Sequence, residues 1–382
     1  MPADIRLLDE DQRDLIGMVR AFSDEVLAPA AGGYEERSED PAPLYRQLAE
    51  LGLTGIPYPE VYGGGGQPYS TYLMVVEEIA RAYLGFAIGL SVHTLCAFAV
   101  NGFGSEALKK DVLEKLCSGE WFGAYSLSEP QSGSDAVALT TKAARNGDGY
   151  MLNGSKVFCT RGDEADVVLV MARTGAEGSK GISAFIVEKG TPGFGGSKKE
   201  DKMGWRSSPT WMLQLDDAPV PEARRVGDEG QGFRIALASL DSGRLGIAAC
   251  SIGLAQRALD EAVSFTSERE QFGQPVIQNQ GLQFMLADMA TQIEAGRALY
   301  QRAARLRDEG HDYSMQAAQA KLFCSDVAMR VTIDAVQLHG GYGYVTEYPV
   351  ERLMREAKGL QIVEGTNQIQ RMVIGRKLSP SY

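Results

Sequence analysis

One carboxylate is set apart by its neighbours. In LQIVEGTNQIQR, residues 360 to 371, Glu364 follows Ile362 and Val363 directly, precedes Gly365 and has no cation beside it. One reading is electrostatic: a helix starting near Thr366 gains from a negative charge at its N-terminal end, with Thr366 as its cap. The other is chemical. Apolar neighbours desolvate a carboxylate and raise its proton affinity, and a following glycine lets a ligand approach the backbone closely, as a general base requires. Taken alone, the fragment favours the first reading, and the rest of the chain has to decide.

Other catalytic chemistries find few residues. The chain has three histidines, His93, His311 and His339, and five scattered cysteines, Cys96, Cys117, Cys159, Cys250 and Cys324, with no CxxC spacing. That pattern fits neither a zinc site nor a disulfide framework and suits a reducing compartment, so no metal is expected and a cytoplasmic location is. Glycine-rich stretches do not form a dinucleotide fingerprint. GQGFRI from Gly230, GFGGSK from Gly193 and GYGYVT from Gly341 each lack the third glycine and the strand-to-helix setting. The four glycines at 63 to 66 read as a flexible loop.

The elements that must position these residues come in three blocks. With 382 residues the chain exceeds the size of a single core, and 44% hydrophobic with 23% charged residues is a globular composition. A net charge of -12 argues against nucleic acid or an anionic membrane as the main partner. Residues 1 to 121 read as an N-terminal helical domain, in which Ile16, Val19, Phe22 and Val26 make an apolar stripe and Pro29 reads as a stop signal. The first residues lack the patterns of a secretory or transit leader. Residues 83 to 100 are uncharged, but Gly85, Gly89, Ser91, His93 and Thr94 dilute them, and a helix buried among other helices is expected rather than membrane insertion.

Residues 122 to 228 carry short β-rich runs and read as a central antiparallel β domain of barrel-like form. Of its two Asn-Gly pairs, Asn153-Gly154 is placed as a hairpin turn between YML and SKVF. Residues 229 to 382 return to long helical periods, with Leu282, Met285, Met289 and Ile293 on one face as core. The order α, β, α without βαβ alternation predicts an α+β multidomain protein and no Rossmann sheet.

Six fragments, YSLSEPQSGSD (125 to 135), VFCT (157 to 160), DSGR (241 to 244), REQFG (269 to 273), QLHGG (337 to 341) and VEGTNQIQR (363 to 371), occur in an order that resembles the acyl-CoA dehydrogenase family. The resemblance covers nearly the whole chain and is nearest in look to the short-chain branch. It implies a C-terminal four-helix bundle domain, a homotetramer and one FAD per subunit. It also implies an acyl-CoA substrate and an electron-transferring flavoprotein as acceptor. Glu364 then matches the base that removes the α-proton while the β-hydrogen leaves as hydride, giving a trans-2-enoyl thioester.

The resemblance also distributes binding roles. Tyr125, Leu127 and Ser128 match a flavin-facing turn and Ser134 a contact that also reaches the CoA arm. Phe158, Cys159 and Thr160 match a strand end at the cofactor, with Phe158 against the flavin ring and Cys159 more a packing residue than a reactive thiol. Arg269 and Phe272 match contacts to a neighbour's flavin, Gln280 a further flavin contact, and Gln337, His339, Gly340 and Gly341 a segment close to the adenosine half of the flavin. Thr366, Asn367 and Gln368 match a further flavin contact, and Asp241, Arg244 and Gly365 the substrate. The plainer readings are a turn for the first loop, a buried strand end for the second, a core histidine at 339 and a surface salt bridge for Asp241 and Arg244. Two positions depart from the family pattern. Val363 stands where straight-chain members carry tyrosine, and Gly243 stands where some relatives carry their base. An oxidase of the same superfamily is the alternative activity, and a non-catalytic thioester-binding relative a third.

Overall fold

The computed structural model describes residues 8–175 and 177–379; the first seven of the residues read above for a leader lie outside them. The N-terminal part is helical: α1 (Glu10–Phe22), α2 (Ala28–Arg37), α3 (Ala42–Glu50), α4 (Tyr69–Ala82), α5 (Leu84–Phe103), α6 (Glu106–Leu108) and α7 (Glu114–Ser118). Asp9 opens α1 by accepting from the Gln12 amide at 2.8 Å, and the stripe residues Ile16, Val19 and Phe22 are buried while Val26 packs at the margin. Pro29 does not end the helical path. It sits in the first turn of α2, after one wide turn at 23–27, where a missing N–H costs nothing. The uncharged stretch is α5, almost wholly buried against α4, α8 and the sheet.

The glycines at 63 to 66 are pinned rather than flexible. The amides of Gly64, Gly65 and Gly66 bond to the carbonyls of Pro59, Gly55 and Tyr58. A Cβ at 64 would overlap the Tyr58 carbonyl, so the loop needs glycine for close approach.

Strands run from Gly123 to Val226: β1 (Gly123–Ser126), β2 (Lys142–Asn146), β3 (Gly149–Thr160), β4 (Val167–Arg173), β5 (Ile182–Glu188), β6 (Phe194–Lys199), β7 (Thr210–Pro221) and β8 (Arg225–Val226). The sheet order is β6-β7-β3-β2-β4-β5-β8, antiparallel except that β1 and β2 meet β4 in parallel. The hairpin lies at the first Asn-Gly pair, where Asn146 opposes Gly149. Asn153 and Gly154 instead lie inside β3 at a bulge, with a Cβ at 154 blocked by Thr141.

Three long helices follow, α8 (Gly232–Glu268), α9 (Gln280–Asp308) and α10 (Ser314–His339), with β9 (Glu270–Gln271) and β10 (Gln274–Pro275) as a small flap between α8 and α9. Shorter α11 (Val350–Leu360) completes the four-helix arrangement against α8 and α10, and α12 (Asn367–Leu378) lies on α10. Met289 and Ile293 are buried, with Leu282 and Met285 at the core edge. One polar lock ties α4 to α9: buried Glu77 accepts from Arg297 Nε at 2.9 Å and from the Tyr300 hydroxyl. The helices α4, α5, α8 and α10 share one buried core, and the turn carrying Glu364 packs at its edge through Val363.

Candidate active site

The turn 361–366 separates α11 from α12. Thr366 does cap α12, its Oγ1 accepting from the Ile369 amide at 3.4 Å. Glu364 is not part of that cap. Its backbone is left-handed, φ 54°, followed by Gly365 at φ 90°, and this reversal throws the carboxylate toward α8. There it rests on Gly243, where a Cβ would overlap Glu364 Oε2 and stand 2.7 Å from Leu95 Cδ2. Oε2 is shut off from solvent and has no hydrogen-bond partner. Burial pushes the carboxyl from 4.5 up to about 8, against the opposing charges of Arg244 and Lys321. A desolvated carboxylate with a free oxygen and basicity near neutrality is what proton abstraction at carbon needs, and an end-of-helix charge has no use for it.

Groups from four elements surround it. The phenols of Tyr69 and Tyr72 on α4 and Tyr125 on β1 are each held above their ordinary range by burial first and by the Glu364 charge second or later. Tyr69 donates to the Ser242 carbonyl at 3.0 Å, and Tyr125 to that of Ala236 at 3.4 Å, so both rings are fixed on α8. Arg244 is buried and paired with Asp241, which also accepts from Ser314 at 3.3 Å. The pair is thus no surface salt bridge. Gly365 shares the turn with the base, half-buried.

The β loop approaches from the sheet. Leu127 is buried and its carbonyl accepts from Lys156 Nζ at 3.1 Å, while the Ser128 carbonyl accepts from the Val157 amide at 2.9 Å. Ser134 is exposed on the same loop. Phe158 stands out: its backbone is left-handed, φ 56°, and its ring is 70% exposed at a strand end. Thr160 beside it is half-buried. Cys159 departs from its expected place at a cofactor. Strand alternation turns it inward, where its buried thiol contacts the Tyr125 carbonyl at 3.4 Å and burial pushes it up to about 12.

The remaining candidates gather elsewhere. Arg269 and Phe272 sit on the flap beyond α8, Arg269 over the Tyr342 ring at 5.4 Å and Phe272 99% exposed with φ 53°. Gln280 opens α9, exposed. Gln337, Gly340 and Gly341 are exposed at the end of α10, whereas His339 is buried, stacked on Phe265 at 4.3 Å with Nδ1 2.8 Å from the Ala335 carbonyl. His339 is therefore packed as a core residue, with Nδ1 engaged by its own helix. From Gly243 to Arg269 is 26 residues of helix, about 39 Å at ~1.5 Å each, so one chain does not bring the two groups together.

Near the base, Gln368 is exposed, but the Asn367 side chain is consumed internally. Its Nδ2 donates to Ser325 Oγ at 3.0 Å and Asp326 Oδ1 at 2.7 Å, and its Oδ1 accepts from Lys321 at 2.8 Å. Its backbone is engaged as well, the amide donating to the Gln361 carbonyl at 3.0 Å and the carbonyl accepting from Arg371 at 3.2 Å. Sequence reasoning missed Lys321, Gln370, Lys156 and Glu129, which hold the two loops from behind. A lysine in a helix or strand looks solvated, and nothing local marks these two as buried. Among the described residues, no group of three metal-type side chains is placed to hold an ion.

Comparison with known proteins gives three matching family models that between them cover most of the chain: the acyl-CoA dehydrogenase N-terminal domain at residues 9–120, the middle domain at 124–218 and the C-terminal domain at 230–379. An acyl-CoA dehydrogenase of Bacillus subtilis (strain 168) is 48% identical over 94% of this chain and 96% of its own. The butyryl-CoA dehydrogenase structure from Megasphaera elsdenii superposes with a TM-score of 0.95 at 46% identity, covering 97% of this chain and 98% of that one. A chain from the structural work on the electron transferring flavoprotein of Acidaminococcus fermentans and flavin-based electron bifurcation has a TM-score of 0.96 at 47% identity, with the same coverage.

Proposed function

The chain belongs to the acyl-CoA dehydrogenase family and dehydrogenates an acyl-CoA thioester, and we propose that Glu364 is its base and FAD its cofactor. The observation that carries this reading is the partnerless, buried Oε2 of Glu364 against Gly243. A thioester's α-proton is acidified by the carbonyl, yet a carboxylate in water is too weak a base to remove it fast. Burial closes that gap by raising proton affinity, and Arg244 and Lys321 keep the ionised form accessible. The α-proton goes to Oε2. The electron pair left at the α-carbon forms the double bond as the β-hydrogen departs with its electrons, so the product is the trans-2-enoyl thioester.

When bound, FAD accepts that hydride. The residues present fit it: the outward ring of Phe158, the fixed backbone of Tyr125 to Ser128 and, at the far group, Arg269, which has no carboxylate partner among the described residues. Asp241 and Arg244 would meet the CoA portion. We place the substrate among short acyl groups, as in the butyryl-CoA dehydrogenase it resembles, and take an electron-transferring flavoprotein as acceptor. Five buried free cysteines accord with the cytoplasm.

The test is direct. Purified protein should be yellow with about one FAD per chain. Glu364→Gln should keep FAD and bind butyryl-CoA while anaerobic flavin bleaching slows ~100-fold or more. A colourless folded protein that takes up no FAD, or a Glu364→Gln variant that bleaches at the normal rate, would sink the assignment.

A further inference from the structure

We propose that Lys321 is a positioning residue for this reaction: from beneath, it anchors the turn that carries Glu364 and places a compensating charge there. The proposal rests on Glu364 being the base. Lys321 lies on α10, wholly buried. Its Nζ donates to the Gly365 carbonyl at 3.0 Å and to Asn367 Oδ1 at 2.8 Å. Gln370 reaches the same point from α12, with Nε2 donating to the Gly365 carbonyl at 2.7 Å and the Glu364 carbonyl at 3.2 Å. The left-handed pair Glu364–Gly365 is thereby clamped from two helices, and Asn367 is clamped in turn by Ser325 and Asp326.

A clamp alone could be neutral. An ammonium is costly to bury without a partner, and among the described residues no carboxylate lies within ion-pair reach of Lys321. A neutral donor would make the same clamp at a lower desolvation cost. What its charge does face is Glu364 across the turn. Burial pulls Lys321 down to about 7, and Glu364 is the largest influence holding it up, followed by Asp326, with Arg244 opposing. From the other side Glu364 faces Arg244 and Cys250 of α8, Tyr69 and Tyr72 of α4 and Tyr125 of β1. Only Arg244 and Lys321 among these are cations. Arg244 is the larger of the two influences on the carboxylate but is already committed to Asp241, which leaves Lys321 as the cation that has no carboxylate partner of its own among the described residues and faces Glu364.

The experiment uses the FAD-loaded enzyme and Lys321→Met, which keeps length and removes both charge and donors. Two rates are followed from pH 6 to 10: single-turnover flavin reduction by butyryl-CoA, and deuterium uptake at the α-carbon of butyryl-CoA with the flavin already reduced, read by mass spectrometry. The second reports proton abstraction without any redox step. We expect the rising limb of both profiles to move up, with a several-fold loss that is greatest from pH 6 to 7, where Lys321 still carries its proton, and with butyryl-CoA affinity changed less than threefold. In a Glu364→Gln background Lys321→Met should add nothing. If Lys321→Met fails to fold, Lys321→Gln removes the charge, keeps a donor and should show the same shift. An unmoved limb in a folded, FAD-loaded variant overturns the role of Lys321 alone. Undiminished α-exchange in Glu364→Gln overturns the base assignment and this proposal with it.

Discussion

At the scale of the residue, Glu364 and Gly243 are one unit. The carboxylate occupies the space a side chain at 243 would need, so a glycine there is a condition of the base standing where it does. Gly243→Ala should displace the carboxylate and slow flavin reduction by ~100-fold, since proton abstraction depends steeply on position, while FAD content stays the same. In a Glu364→Gly background the same change should cost nothing more, because no carboxylate remains to displace. Moving the base across the contact, Gly243→Glu with Glu364→Gly, should recover part of the activity lost in Glu364→Gly alone. A double variant that is folded, loaded and no faster than the single would show that the α-carbon is out of reach from α8. The raised proton affinity of Glu364 also has a stability sign. Its folded value, about 8, exceeds the ordinary 4.5, so its favourable contribution is complete below 4.5 and is lost as pH rises through 8. Glu364→Gln should therefore melt higher than the parent at pH 9 and show little difference at pH 5, the inverse of its effect on catalysis.

At the scale of the element, the loop after β1 owes its shape to a buried pair. Lys156 bonds to both the Leu127 carbonyl and Glu129 Oε1, the latter at 2.8 Å, and Glu129 gathers the amides of Thr140 and Thr141 at 2.6 and 3.0 Å. Burial alone would raise Glu129, but Lys156 and these donors more than offset it and hold the carboxyl down at about 2. Removing one partner leaves a buried charge uncompensated, typically costing about 3–5 kcal/mol. Lys156→Met should thus lower the melting temperature by several degrees and weaken FAD binding in titration; a variant with unchanged melting and unchanged FAD affinity would free the loop from this pair. The α, β, α order was legible because hydrophobic period changes with element type, whereas the apolar neighbours of Glu364 only singled it out: alone they favoured a helix-end charge, and the base role came from the resemblance of six fragments spread along the chain. What decided the rest lies far along the chain. Lys321 sits among Ala317, Ala318, Ala320 and Cys324 on a helix face whose burial depends on a turn more than 40 residues later. Asn153-Gly154 has the composition of a hairpin, yet close approach by Thr141 makes it a bulge. Pro29 reads as a stop in a sequence window, but the helical path runs through it because one wide turn at 23–27 precedes it.

At the scale of the whole molecule, the candidate residues fall into two groups well separated along α8. The base group lies near Gly243, and Arg269, Phe272, Gln280 and the end of α10 lie about 39 Å away along the helix, farther than one extended dinucleotide spans. Single-chain binding would leave one group unused. The far group also carries apolar surface with nothing over it: Phe272 and Tyr344 are almost fully exposed, with Phe284 and Ile333 more than a third exposed. Both facts support an assembly in which a second copy brings its far group to the first copy's base group, completing one flavin site from two chains. Arg269→Ala should then weaken FAD retention and assembly together, read by cofactor titration and gel filtration. A sharper consequence concerns mixtures. Glu364→Gln lacks the base and Arg269→Ala lacks the far contact, so each alone should be impaired. Co-expressed and co-purified, they should form hybrid assemblies in which some sites pair an intact Glu364 from one chain with an intact Arg269 from the other. Flavin reduction in the mixture should exceed the average of the two pure variants, because a site built across chains can combine their undamaged halves. If each site were built within one chain, every site in the hybrid would still carry a lesion and the mixture would match that average, and the two-chain arrangement would be wrong.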